Sequence, residues 1–126
     1  VDYIKDYLHL QQIRLHKDFE LQFNTSIEDS SFLLPPLLLI ILIENAFKHG
    51  IEPAEGKCFL TINLNSNAKH LFFHCSNSYE SNPNNKPGIG LENLQRRLSL
   101  LFPNRHKFSA KGEQGIFTAN LEVWHL

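Results

Sequence analysis

Disulfide chemistry has little to work with here: 126 residues hold two cysteines, Cys58 and Cys75, and no CxxC pair. A covalent framework of the kind that staples small secreted domains is excluded. Both thiols are expected to be buried and reduced, acting as small apolar core residues in a cytosolic protein. Methionine is missing altogether and the chain opens on Val1, which points to a piece excised from something longer. The first ten residues, VDYIKDYLHL, carry no secretory signal. No apolar run is long enough for a membrane: the longest, FLLPPLLLIILI at 32–43, is broken by two prolines, and a span needs about 20 residues. Excess charge is lacking too, with a net charge of −1 and a pI near 6.7, so nothing supports nucleic acid as a partner. What remains is 42% hydrophobic and 20% charged, the composition of one soluble globular domain with a single core. No repeat or linker interrupts it.

Periodicity sets out the elements. Residues 3–18 read as a helix, with Tyr3, Ile4, Tyr7 and Leu8 on one side. Phe19, Leu21, Phe23, Thr25 and Ile27 alternate with Glu20, Gln22, Asn24 and Ser26, the period-two pattern of a half-buried strand. After a polar turn at 28–31, Pro36 opens a helix running to about His49, and Gly50 closes it, the proline-first, glycine-last asymmetry of helices. That helix is apolar almost all round over 37–43 and is expected to be buried. Residues 58–64 and 71–76 predict a hairpin. A polar stretch, NSYESNPNNKP at 77–87, predicts a loop. Leu91, Leu94, Leu98 and Leu101 mark an amphipathic helix entered through Gly88-Ile89-Gly90 and stopped by Pro103. A second hairpin, 106–110 and 116–124 around a KGEQG turn, closes the chain. The expected class is α+β, with helices layered on one face of a mixed, largely antiparallel sheet.

Two places concentrate chemistry. The last turn of the second helix carries Glu44, Asn45, Lys48 and His49 after two turns with no polar side chain. At about 100° per residue they fall within an arc of roughly 140°. The plain reading is a solvated helix end whose cations complement the dipole. The functional reading is a cation and phosphate site: Glu44 and Asn45 offer the oxygens that Mg²⁺ prefers, and Lys48 meets phosphate as a point charge. The second place is Gly88-Ile89-Gly90-Leu91-Glu92-Asn93 leading to Arg96 and Arg97. Glycines at a helix entrance let backbone amides approach an anion, though such a pair is also an ordinary turn. A dinucleotide fingerprint fails, for want of a third glycine and of a βαβ context, and no Walker A motif is present. His70 and His74 lie four apart on a strand, ~13 Å along one face, too far to share a metal.

At these residues the chain resembles a family. LIENAFKHG at 42–50 resembles the N box of histidine-kinase catalytic domains, and GIGLENLQRRL at 88–98 resembles their glycine-rich second box, in a spelling similar to the LytS type. The resemblance covers nearly the whole chain. It implies a two-layer α/β sandwich of the Bergerat type, shared with gyrase, heat-shock chaperone and MutL ATPases, and it implies ATP and Mg²⁺ as ligands. On this resemblance Asn45 coordinates Mg²⁺, Glu44 assists beside the metal, and Lys48 and His49 approach the phosphates. Gly88, Ile89, Gly90, Leu91, Asn93 and Arg97 belong to the box around the phosphates. Asn77 stands where the family places an adenine-holding acid, and its amide oxygen still accepts a hydrogen bond. Gly115 and Thr118 take the place of a late Gly-Thr element near the adenine.

The resemblance further implies phosphoryl transfer to a histidine upstream, residues 1–18 being the stub of a dimerisation helix and 19–126 the catalytic domain. It implies passage to a response regulator, a homodimer in full length, and a cytoplasmic position in an inner-membrane protein. The loop at 77–87 would be a lid. His9 does not have the neighbours of an acceptor histidine. The rival reading, motivated by Asn77 and by the apolar Ile40-Ile41 pair, is a degenerate nucleotide-binding or interaction domain without activity. An ATPase of the gyrase branch is less favoured, since Ile41 stands where that branch has its catalytic glutamate.

Overall fold

The computed structural model describes residues 2–15, 19–27, 36–54, 56–79 and 89–124. Helix α1 spans Asp2–Leu15, strand β1 Glu20–Ile27 and helix α2 Pro36–Ala46. A π-helical turn, Phe47–Ile51, continues α2. Strands β2 (Phe59–Ser66) and β3 (His70–Ser78), helix α3 (Ile89–Leu101) and strands β4 (His106–Glu113) and β5 (Ile116–Trp124) complete the chain.

The five strands form one sheet in the order β1-β2-β3-β5-β4, in which only β1 and β2 pair parallel. Burial alternates along the strands as their period demands. Leu60, Ile62 and Leu64 of β2, Leu71, Phe73, Cys75 and Asn77 of β3, and Phe117, Ala119, Leu121 and Val123 of β5 face the helices. Against them pack Leu38, Leu39, Leu42 and Ile43 of α2, Leu94 and Leu98 of α3, and Ile4 and Leu8 of α1, all in one core. The expected α+β two-layer architecture is what the chain adopts.

The other face of the sheet is polar. Asn24, Asn63, His74, Asn120 and Ser109 stand opposite one another in a row across all five strands. Asn24 Nδ2 donates to Asn63 Oδ1 at 3.0 Å, and His74 Nδ1 to Asn120 Oδ1 at 2.7 Å. A sheet covered on one side only has this composition on the other.

Four expectations need correction. Gly50 does not close the second helix: the chain passes through it in the π-helical turn, and Glu52 N donates to Phe47 O across five residues at 2.8 Å. The reason is packing, described below. Parallel crossovers are present: β1-α2-β2 is one, and β3 and β4 run the same way with β5 between them, joined through α3. Such pairing is long-range and leaves no local signature. The β4–β5 turn is Gln114-Gly115 alone, both with positive φ (52° and 79°), the geometry that matches the twist of a tight hairpin. Strand β3 also runs on through Asn77 to Ser78, which the loop reading had included. Of the expected lid, residues 80–87 lie outside the described residues, as do Gly88 and residues 16–18, where the first helix was expected to end.

Candidate functional site

A buried polar side chain marks a place that hydrophobic packing alone does not explain. Among the described residues there is one: Asn77, 2% exposed, at the end of β3 on the helix-facing side. Its Nδ2 donates to the carbonyl of Ser78 at 2.9 Å. That bond orients the amide and fixes which end carries the acceptor.

Gly50 lies directly above it. A Cβ built on Gly50 would stand 2.1 Å from Asn77 Nδ2 and 2.5 Å from the Ser78 carbonyl oxygen. Glycine is there because the backbone of the π-helical turn touches the end of β3, and any side chain would fill that contact. The last turn of α2 is thereby locked onto Asn77. Glu44 and Lys48 are exposed on this segment, while Asn45 and His49 are half-buried. Ala46 and Phe47 between them are anchored in the core. A π turn inside a helix is a frequent companion of functional sites because it re-aims the residues around it.

Helix α3 packs beside α2, with Leu94 and Leu98 fully buried, Leu91 half-buried, and Asn93 and Arg97 exposed. Ile89 and Gly90 are its first two residues. Thr118 is not brought to this cluster. It pairs with Ser76, one residue from Asn77, and so points to the opposite, polar face of the sheet. Gly115 sits at the tip of the β4–β5 hairpin, where its carbonyl accepts from Tyr79 N at 2.9 Å. The Tyr79 ring meets Phe117 edge-on at 5.9 Å.

The N-terminal helix reaches the same segment, which the sequence reading did not anticipate. Tyr7 meets Phe47 edge-on at 6.2 Å, and Phe19 meets the same ring at 5.6 Å. Burial, together with the nearby Glu44 carboxylate, pushes the Tyr7 hydroxyl up to about 12, so it stays protonated. Arg14 Nε and Nη2 donate to Gln11 Oε1 at 3.0 and 2.7 Å, and Arg14 also pairs with Glu52 just past the π turn. The signal for this contact was the aromatic spacing of Tyr7 and Phe19, which period alone assigns to the core. The Cys75 thiol, buried beneath the sheet, is pushed up to about 12 by desolvation and is inert.

No protein-family model matches the chain. It is 30% identical to the sensor histidine kinase YpdA of Escherichia coli (strain K12) over 112 residues, covering 79% of this chain and 19% of YpdA. It is 24% identical to the sensor protein LytS of Bacillus subtilis (strain 168) over 116 residues, covering 81% of this chain and 20% of LytS. The relatives it matches are sensor histidine kinases of the LytS and YpdA kind. It spans about a fifth of the length of these LytS-type relatives. The fold agrees. The nucleotide-free catalytic domain of the histidine kinase ThkA superposes with a TM-score of 0.61 at 10% identity, covering 98% of this chain and 88% of that one. The histidine kinase AdeS of Acinetobacter baumannii gives 0.64 at 14%, covering 96% and 62%. Gly50 is also the last residue of LIENAFKHG, the first of the two sequence motifs.

Proposed function

We propose that this chain is the Mg·ATP-binding catalytic domain of a sensor histidine kinase and directs the γ-phosphoryl group to a histidine upstream of it. The observation that carries the reading is the contact of Gly50 with Asn77. It joins the turn that bears Lys48, and that follows Asn45 of α2, to the one buried amide among the described residues. The residues fit the ligands. Asn77 keeps its Nδ2 on the Ser78 carbonyl and so offers Oδ1 as acceptor, suited to the exocyclic amino group of adenine. The Asn45 amide oxygen, with the Glu44 carboxylate beside it, is the hard-oxygen set that holds Mg²⁺ alongside phosphates, and the metal would neutralise phosphate charge. Lys48 and His49 supply donors for the phosphates, and the start of α3, with Ile89, Gly90, Leu91, Asn93 and Arg97, borders them. The domain contributes orientation and fixed charge, with no covalent intermediate on its own residues.

Residues 1–18 belong, in this proposal, to the dimerisation and acceptor region. Its support is the outer face of α1, where Tyr3, Leu10 and Ile13 are 54%, 61% and 55% exposed, an apolar stripe suited to a neighbouring helix. A response regulator then receives the phosphoryl group, and the intact protein is a membrane-anchored homodimer. None of the described helices is long and apolar enough to cross a membrane. A degenerate domain is the second reading, favoured by the missing carboxylate at Asn77.

Calorimetric titration of a non-hydrolysable Mg·ATP analogue, with Asn45→Ala as control, separates the two. Binding that requires Mg²⁺ and falls by at least roughly tenfold in the variant is expected, since ~1.4 kcal/mol is one decade in affinity. Absence of binding at millimolar nucleotide refutes the kinase reading and leaves the degenerate one.

A further inference from the structure

We infer that α1 is a strut for the nucleotide site: Arg14 and Tyr7 position the π-helical turn, and through it Asn45 and Lys48. The inference rests on the nucleotide reading above and adds a means of control to it. Helix α1 grips the turn at both ends. Phe47, its first residue, is buried and meets edge-on both Tyr7 of α1, at 6.2 Å, and Phe19, ahead of β1, at 5.6 Å. Glu52, the residue after its end, is held by Arg14, whose guanidinium Gln11 orients from the preceding turn. Asn45 and Lys48 flank Phe47 in sequence, so a shift of that ring displaces both.

The opposite side of the turn cannot yield. Gly50 is pressed against Asn77 and the Ser78 backbone, with no room for a methyl group. The turn therefore pivots on Gly50, and α1 holds the other side. A π turn is a rare, single-turn departure from the α-helix, and this one is bounded by the contacts just described. Ile4 and Leu8 seat α1 on the core, while its outer stripe is free to engage a neighbour. A rotation of α1 is thus converted into a change at the phosphate-facing residues.

The test uses the whole chain with Arg14→Gln, Glu52→Gln, and the reciprocal swap Arg14→Glu with Glu52→Arg. Both side chains are substantially solvated, 56% and 33% exposed, so the melting temperature serves as the control for general destabilisation. Two readouts are taken: amide hydrogen exchange over 47–52, and the dissociation constant of a non-hydrolysable Mg·ATP analogue. Each single variant is expected to speed exchange at 47–52 and to weaken nucleotide binding, both by roughly three- to fivefold, the range open to a solvated ion pair. Exchange in β2 and β3 is expected to stay unchanged, and the swap to restore both readouts. Unchanged exchange in the single variants, or a swap that restores neither readout, overturns the strut. A wild type that binds no nucleotide while exchange still responds refutes the nucleotide reading instead.

Discussion

Replacing Gly50 by alanine sets two effects against each other, and the structure decides between them. In a helix, alanine is favoured over glycine by about 1 kcal/mol, and Gly50 has no positive φ to lose. On that ground alone the variant gains stability. The new methyl group, however, would stand 2.1 Å from Asn77 Nδ2 and 2.5 Å from the carbonyl of Ser78. The amide can swing away, whereas the carbonyl is main chain of β3, whose last residue Ser78 pairs with Ile116 of β5, and it moves only with the strand end. Overpacking of this kind costs ~1–3 kcal/mol, and displacing Asn77 loses its bond to Ser78, worth about 1 kcal/mol. The net is a loss of roughly 1–3 kcal/mol, or a fall in Tm of about 4–12 °C for a domain of this size. Thermal melts by circular dichroism measure it, with Gly56→Ala as control, since nothing lies within 4 Å of a Cβ there. The control should be neutral or slightly stabilising. Gly50→Ala should also weaken Mg·ATP binding by displacing the Asn77 acceptor. A Tm at or above that of the wild type would refute the packing argument and restore Gly50 to the status of an ordinary helix terminator.

Asn77→Asp should destabilise the free domain at neutral pH by about 1–3 kcal/mol, because a carboxylate cannot donate to the Ser78 carbonyl. Burial raises the folded pKa of that carboxyl above its unfolded value of about 3.9. The variant is therefore nearest the wild type in acid and loses stability as pH rises through the raised pKa. Melts between pH 4 and 8 test this, and a flat difference would refute it. Cys75, raised from 9.0 to about 12, makes the folded state the better proton binder between those values. Stability is intact below pH 9 and falls toward 12, by at most ~1.4 kcal/mol per pH unit. Cys75→Ala should flatten that part of the melting profile, and an unchanged profile would show that other groups control it.

Layering was legible in the sequence because period and burial are local. The hairpin strands expected at 58–64 and 71–76 are present, and of the leucine stripe of α3 Leu94 and Leu98 are buried, while Leu101 is 49% exposed. Long-range pairing was not legible: no feature of residues 20–27 shows that they join β2 in parallel. In the candidate site, the polar cluster of Glu44, Asn45, Lys48 and His49 stood out as an anomaly on an apolar helix. The role of Gly50 did not, since glycine at a helix end and glycine under a neighbouring backbone read alike. Thr118, which the resemblance puts near the adenine, stands on the polar face: its neighbour Phe117 faces the helices, and successive strand residues alternate between faces.

Order of assembly follows from the parallel edge. Strands β2 and β3 are joined through 67–69, and β4 and β5 through Gln114-Gly115, so each pair can zip from its own turn. Strand β1 has no such start. It must wait until α2 has formed and crossed the sheet, closing the long loop over 28–58 before its first hydrogen bond is made. Slow, non-local closure of this kind comes late in folding. By the same loop entropy, β1 and the helix docked ahead of it detach at lower free energy than the four-stranded antiparallel remainder. The end of the molecule that bears on Phe47 is therefore also the end that can let go while the rest stays folded.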